Sequence, residues 1–170
     1  FSQGLNLGLH FLSGAITYDA ATNDCDALLA SKIVWLDAFI TNVDRTFKNT
    51  NLLIWRKELW LIDHGASFYF HHSWVNWEAA AKTPFALIKD HVLLPKASML
   101  AEVNEQFTSK LNDTILMEIV NQIPEDWLQW DDQPITADEI RAIYFQFMSI
   151  RLKNADLFLK QAQDARQTLI

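Results

Sequence analysis

The sequence is poor in cysteine, glycine and proline, with one Cys, four Gly and four Pro among 170 residues. The single Cys25 excludes an internal disulfide, which agrees with a protein of the reducing cytoplasm. The shortage of Gly and Pro argues against a disordered chain. No apolar run approaches the ~20 residues of a membrane span, and no signal-peptide pattern is found. We therefore expect a cytoplasmic protein with no membrane partner.

Acidic residues outnumber basic ones, with 21 Asp and Glu against 14 Lys and Arg and a formal net charge of −7. Binding along a nucleic-acid backbone needs a basic surface, so we expect no direct nucleic-acid partner. A nucleotide ligand is still compatible, because bound metal ions supply positive charge. Half of the residues are apolar, including 7 Trp and 11 Phe, which is enough for one core. Residues 1–170 are therefore expected to form a single domain.

One helix and one hairpin are predicted in the N-terminal half. Apolar residues three and four positions apart predict a helix from about Asp26 to Phe39, with Asp24 or Asp26 as its N-cap. Two apolar runs, 51–55 and 59–63, predict a β-hairpin. Their apolar residues do not alternate cleanly with polar ones, which indicates that both faces of the hairpin are buried.

The remainder of the chain, 78–170, is predicted to be helical. Thr136 and Glu139 form a capping box that opens a long helix. Its apolar stripe consists of Ile140, Tyr144, Phe147 and Phe158. A further short strand is expected near 10–12 or 15–18. These elements predict an α+β fold that is predominantly α-helical.

Three polar residues stand out around the predicted hairpin: Asp44, Asn49 and Asp63. Four residues separate Asp44 from Asn49, as in the catalytic loop of protein kinases, and Asp63 stands two residues before Gly65, like their magnesium-binding Asp. Phosphoryl transfer needs a carboxylate beside the attacking hydroxyl and hard oxygen ligands for Mg²⁺. The pattern therefore predicts Asp44 as the base or orienting group. It predicts Asn49 and Asp63 as ligands of the Mg²⁺ that accompanies ATP.

Four residues close to these three also have expected roles. Arg45 is a catalytic candidate that binds phosphate, or else it holds the loop by pairing with a carboxylate. Asn42 and Asn51 are expected to form turns with the local backbone. Asn51 is also a spare candidate for the metal-binding amide if the register is shifted. Gly65 is expected to let the backbone turn sharply after Asp63.

Other interpretations of these residues stay open. An Asp followed five residues later by Asn is common, and a surface turn before a hairpin also produces it. His64, His71 and His72 with Asp63 suggest a transition-metal site, although no Cys supports it and adjacent residues on a strand point apart. A non-catalytic, kinase-like module that binds a partner through its aromatic surface is a further alternative.

The segment 37–66 resembles the HipA-like kinase family, and most closely its stand-alone bacterial domains. The resemblance rests on three stretches: Asp37-Ala-Phe-Ile-Thr-Asn-Val-Asp44-Arg45, Asn49-Thr-Asn-Leu-Leu53 and Leu59-Trp-Leu-Ile-Asp63-His-Gly-Ala66. It implies a kinase that uses ATP and Mg²⁺ and transfers the γ-phosphate to a hydroxyl, with protein Ser or Thr as the acceptor. By this resemblance Asp44 corresponds to the catalytic Asp. Asn49 and Asp63 correspond to the metal-binding Asn and Asp.

The resemblance also implies which part of a kinase this chain represents. It corresponds to a protein-kinase-like C-lobe whose short hairpin carries the metal-binding Asp, with the catalytic loop and hairpin in 41–66. A complete kinase also needs an N-lobe with a phosphate-covering loop and a phosphate-binding Lys. No Lys precedes Lys32, and Gly4 and Gly8 do not have the spacing of such a loop. We therefore expect a missing N-lobe or a regulatory partner to complete the site, and the fragment alone to be inactive.

The family pattern is not fully kept. His often follows the Asp-Arg pair in the family, and Thr46 stands there instead. His64 replaces the Phe of the Asp-Phe-Gly motif of protein kinases, so a switch that depends on packing of that Phe is not expected.

Overall fold

The computed structural model describes residues 4–72, 74–129 and 135–169, which form a mostly helical protein with a small antiparallel sheet. The strands lie in the order β1, β2, β3, with bounds Ile16–Thr17, Leu52–Trp55 and Glu58–Leu61. Helices α1 to α6 span Ala27–Phe39, Trp77–Ala81, Leu100–Lys110, Asp113–Asn121, Ala137–Lys153 and Ala155–Gln167. Short 3-10 helices lie at Tyr69–His72, Ala86–Asp90, Leu94–Lys96 and Glu125–Trp127. The expected α+β, predominantly helical class is confirmed.

Helix α1 packs in the core and leads the chain to the predicted site. Asp26 caps it as predicted, since its carboxylate accepts hydrogen bonds from the N–H groups of Leu28 and Leu29, both at 3.0 Å. The buried indole of Trp35 contacts aromatic rings at centroid distances of 5.0 to 5.4 Å, those of Phe39, Phe107 and Phe158. The end of α1, where loop 41–51 begins, is thus fixed by aromatic packing.

The predicted hairpin is confirmed as β2 and β3, with a shorter turn than expected. Arg56 and Lys57 form a two-residue connection with φ values of 52° and 70°, as a type I′ turn requires. The predicted burial of both faces is wrong for β3, where Glu58 and Trp60 are exposed. A strand at the edge of a small antiparallel sheet leaves one face to solvent. Strand β1 lies at the later of the two positions considered for it.

The predicted long C-terminal helix is in fact two helices. The capping box that opens α5 is confirmed: the Thr136 hydroxyl accepts from the Glu139 N–H at 3.2 Å, and the Glu139 carboxylate accepts from the Thr136 N–H at 2.7 Å. Asn154 ends α5 with φ −115° and ψ 28°, and its side-chain amide donates to the Ile150 carbonyl at 2.8 Å. Such a side-chain bond competes with helical continuation. Phe158 therefore lies on α6 and not on the stripe of α5.

The segment before β1 lies on the surface and is anchored by two indoles. Trp127 donates to the carbonyl of Leu5 at 2.8 Å, and Trp55 donates to that of Ser13 at 3.0 Å. Four apolar residues of this segment are more than half exposed: Leu5, Leu7, Leu9 and Phe11. Within the described ranges, no helix is both long and apolar enough to cross a lipid bilayer.

Candidate active site

Three residues with left-handed backbone conformation mark the turns that shape the candidate site. Thr41 follows the end of α1 with φ 54°, Asn51 precedes β2 with φ 48°, and Asp63 follows β3 with φ 49°. Non-glycine residues in this region are uncommon and occur where the surrounding structure holds them in place. The sharp turn that was expected at Gly65 is thus made by Asp63 itself.

Asp44 is half-buried in loop 41–51, and its carboxylate is within hydrogen-bond distance of two asparagines. Its Oδ2 accepts from Nδ2 of Asn49 at 2.8 Å and from Nδ2 of Asn51 at 3.2 Å. Its backbone N–H donates to Oδ1 of Asn42 at 3.2 Å, so Asn42 forms the local turn as expected. The structure therefore brings Asp44 and Asn49 together.

Asn51 joins the Asp44 loop to the segment that carries Asp63. Its buried Nδ2 lies 3.2 Å from the carbonyl oxygen of Asp44 and 3.5 Å from that of Asp63. Its own carbonyl accepts from the N–H of Ile62 at 3.0 Å. Asn51 thus lies opposite the end of β3, whereas Asn49 is exposed and contacts Asp44 alone among the acidic residues of the site. The spare candidate therefore has the more central position.

The carboxylate of Asp63 is exposed at the end of the hairpin. Its Oδ1 accepts a long hydrogen bond of 3.4 Å from the N–H of Gly65. A Cβ atom at position 65 would lie 3.4 Å from this oxygen, which is an ordinary van der Waals contact. The Asp63 carboxylate is therefore accessible to solvent.

Arg45 is fully buried, and of its two possible roles the structure shows the ion pair. Its Nε donates to Oδ2 of Asp37 at 2.5 Å, and both side chains are inaccessible to solvent. One Nη donates to the carbonyl of Asn51, and the other lies 3.1 Å from Nε2 of His64. The guanidinium therefore lies beneath the site and joins three segments of the chain.

The alternative transition-metal site finds no support in the described part of the chain. His64 contacts Arg45, and burial together with that charge lowers the pKa of His64. His71 contacts the hydroxyl of Tyr144 at 3.2 Å. No group of three His, Cys, Asp or Glu side chains in the described ranges is arranged to hold a metal ion.

Two residues of the buried network, Asp37 and His91, were not among the candidates from the sequence. Nε2 of His91 lies 2.9 Å from Oδ2 of Asp37, and Nδ2 of Asn42 donates to Oδ1 at 3.0 Å. Burial raises the pKa of Asp37, but His91 and Arg45 lower it more strongly, and it stays below the ordinary value. One signal was present in the sequence: Asp37 interrupts the apolar residues at the end of α1.

Two of the cavities among the described residues are lined in part by the hairpin. The larger, about 1160 Å³, is almost entirely apolar and runs from His64 and Phe68 along α1 towards α3 and α4. The smaller, about 670 Å³, has a mixed lining that includes Asn49, Asn51 and Leu53. The smaller cavity therefore combines polar and apolar groups, whereas the larger one is almost entirely apolar.

One protein family matches most of this chain. The model of the HipA-like kinase family matches residues 3–158, which is most of the chain. Neither the curated proteins nor the solved structures give a match. The match extends well beyond the segment 37–66 on which the resemblance in the sequence was based.

Proposed function

This chain belongs to the HipA-like kinase family, and on that basis we propose that it forms the metal-and-base half of an ATP- and magnesium-dependent kinase site. One observation carries the proposal. The side-chain amide of Asn51 contacts both the Asp44 carboxylate and the backbone carbonyl of Asp63, which supports a single site that contains both candidate residues. The whole unit then corresponds to a kinase C-lobe, with the hairpin carrying the metal-binding Asp.

Asp44 is proposed as the base or orienting group. In the transfer, an acceptor hydroxyl oxygen bonds to the γ-phosphorus while the bond from that phosphorus to the ADP oxygen breaks, and the hydroxyl proton passes to a carboxylate. Asp44 is half-buried, and the amides of Asn49 and Asn51 hold one of its oxygens in place. The acceptor is proposed to be a Ser or Thr hydroxyl of a protein substrate.

The donor set fits magnesium. Mg²⁺ prefers oxygen ligands, commonly one or two carboxylates together with substrate phosphates. Asp63 offers an exposed carboxylate, and the side-chain amides of Asn51 and Asn49 contain an oxygen that is a suitable ligand type. When bound, the ion supplies positive charge for the phosphate oxygens in a chain whose own net charge is −7. We propose Asp63 as its main ligand, with Asn49 or Asn51 as the amide ligand.

The nucleotide is proposed to bind in the smaller cavity, with its phosphates near Asn49 and Asn51. The phosphate-covering loop and phosphate-binding Lys of a kinase are not supplied by residues before α1, which contain no Lys. We propose that an N-lobe from outside these 170 residues supplies them. Arg45, buried beneath the site, is proposed to position the loop and not to contact phosphate.

Replacing Asp44 with alanine is expected to reduce phosphate transfer by the full-length protein about 10²–10⁴-fold, because general-base or orienting groups contribute that much. The unfolding temperature should change little, since the side chain is only half-buried. Transfer from γ-labelled ATP measures the first quantity and thermal unfolding the second. Activity within threefold of the unmodified protein would contradict the assignment of Asp44.

A matched pair of variants, Asn51→Ala and Asn49→Ala, distinguishes the two candidate amide ligands. We expect Asn51→Ala to raise the Mg²⁺ concentration for half-maximal activity about tenfold or more, a cost typical of lost groups at metal sites. Asn49→Ala should have the smaller effect, because the side chain of Asn49 contacts Asp44, whereas that of Asn51 contacts both Asp44 and the backbone of Asp63. Titration of transfer activity with Mg²⁺ measures this concentration for each variant. A larger increase in Asn49→Ala than in Asn51→Ala would indicate that Asn49 is the amide ligand.

The alternative function is a non-catalytic, kinase-like module that binds a partner. The large apolar cavity and the exposed apolar residues before β1 favour a surface that contacts another protein region. Such a module would show no magnesium-dependent nucleotide binding even with its N-lobe. A thermal-shift titration of the full-length protein with ATP and Mg²⁺ separates the two functions, since only the kinase is expected to be stabilised.

A further inference from the structure

We infer that Asp37 and His91 are positioning residues of the kinase site, acting through Arg45 on the segments that carry Asp44 and Asp63. The inference rests on the proposed function and extends it to residues that contact no substrate. The network they form is buried and fully hydrogen-bonded, and it joins segments that are distant in sequence.

Arg45 connects the two halves of the proposed site. It follows Asp44 directly in the chain, its guanidinium donates to the carbonyl of Asn51, and its other Nη contacts His64, the neighbour of Asp63. A guanidinium has five donors in a rigid plane and cannot accept, so Nε2 of His64 is the acceptor. The position and orientation of this one group therefore affect the whole site.

The carboxylate of Asp37 holds the guanidinium of Arg45 in place. Its Oδ2 accepts from Nε of Arg45 at 2.5 Å and from His91 at 2.9 Å, while its Oδ1 accepts from Asn42 at 3.0 Å. All of these side chains are buried. A buried carboxylate with this many partners has one stable arrangement, because any other leaves a polar group without a partner.

His91 fixes Asp37 in turn, and its tautomer is determined by its contacts. Nδ1 accepts a hydrogen bond from the N–H of Leu93 at 3.0 Å, so Nε2 carries the proton and donates to Asp37. A neutral imidazole satisfies both bonds. The backbone around His91 also holds the loop, because the N–H of Val92 donates to the carbonyl of Arg45 at 3.1 Å and Thr46 pairs with His91.

The network lies beneath the site and does not line the cavity assigned to the nucleotide. Asn51 and Val92, which contact Arg45, do line that cavity. Loosening the network should therefore displace Asp44 and Asp63 while every group that lines the cavity remains present. Misplacement of catalytic groups by about 1 Å is known to cost on the order of 10²-fold in rate. The expected signature is a fall in kcat with little change in the KM for ATP.

Two substitutions of His91 separate this role from local structure. In His91→Gln the side-chain amide can still donate to Asp37 but no longer accepts from Leu93. In His91→Asn the side-chain oxygen can accept from Leu93, as in an Asx turn, but the donor to Asp37 is lost. With the full-length protein, we expect His91→Asn to lower kcat about 10–100-fold with the KM for ATP within twofold. His91→Gln should stay within about threefold of the unmodified protein, because the bond that orients Asp37 is kept.

The outcomes of this test are distinct. Equal kcat for His91→Asn and His91→Gln would overturn the inference while leaving the proposed function intact. No transfer by the unmodified protein, with no effect of MgATP on its unfolding temperature, would overturn both. If His91→Asn does not fold, Asp37→Asn replaces it, since the isosteric amide keeps one acceptor oxygen but loses the other and the charge that holds Arg45. A folded Asp37→Asn protein with unchanged kcat would also overturn the inference.

Discussion

Replacing Asp63 with asparagine is expected to reduce phosphate transfer by about 10²–10³-fold, the cost of losing one preorganised electrostatic group. The substitution removes the negative charge that the proposed Mg²⁺ site depends on and preserves the shape of the side chain. An amide oxygen at position 63 can still accept from the N–H of Gly65, so the left-handed turn should persist. We therefore expect the unfolding temperature to stay the same while activity is lost.

The measurement has two parts. Transfer of phosphate from ATP is followed in a protein that contains these 170 residues together with the proposed N-lobe. In the 170-residue chain, Mn²⁺ with ATP should broaden the amide NMR signals of Asn51 and Gly65, and Asp63→Asn should abolish this broadening. A matched control is Asp164→Asn on α6, which removes an exposed carboxylate paired only with Lys160. Exposed pairs of this kind contribute little to stability.

Two results would contradict the assignment of Asp63. Full transfer activity in Asp63→Asn would show that another residue binds the metal. Unchanged broadening of the Asn51 and Gly65 signals would show that Mn²⁺ binds elsewhere on the chain. A loss of activity with a lowered unfolding temperature would instead point to a structural role, which the exposed position of the side chain does not support.

Features that depend on neighbouring residues could be predicted from the sequence. The cap of α1 at Asp26, the hairpin and the capping box at Thr136 are all confirmed, since each is determined within a few residues. The contact between Asp44 and Asn49 belongs to the same class, because both residues lie in one short loop. The spacing of residues close in sequence was sufficient to predict each of these features.

Features that depend on tertiary packing could not be predicted in this way. The break between α5 and α6 needs the side chain of Asn154 to bond backwards to Ile150, whereas the apolar pattern continues across it. The position of Asn51 opposite Asp63 depends on the register of the two hairpin strands, in which Leu52 pairs with Leu61. His91 lies 54 residues from Asp37 in sequence, and nothing near either residue indicates that they are in contact.

Replacing Arg151 with methionine is expected to lower the free energy of unfolding by about 3–4 kcal/mol, because it leaves two buried carbonyls, those of Ala38 and Phe39, without this donor. The guanidinium donates to the carbonyls of Phe39 at 2.8 Å, Ala38 at 2.5 Å and Thr83 at 3.2 Å. Burial lowers the pKa of Arg151 to about 10, so it stays charged at neutral pH. Methionine fills a similar volume, and the loss is therefore polar and not a cavity effect.

The position of Arg151 explains why the effect should be large. The carbonyls of Ala38 and Phe39 are at the C-terminal end of α1, where the helix dipole is negative and favours a cation. The guanidinium also lies 4.9 Å from the centre of the Phe158 ring. Arg151 thus joins the end of α1 to both C-terminal helices. The end of α1 directly precedes loop 41–51, which carries Asp44.

Urea unfolding of the 170-residue chain measures this prediction. Arg151→Lys keeps the charge but not the planar fork, and we expect it to lose about half as much stability as Arg151→Met. The matched control is Arg56→Met, whose guanidinium lies 4.3 Å from the ring centre of Trp55 in the exposed turn and should contribute at most about 1 kcal/mol. Equal losses for Arg151→Met and Arg56→Met would show that the carbonyls at the end of α1 do not need Arg151. The position of loop 41–51 would then depend on the buried hydrogen bonds among Asp37, Arg45 and His91.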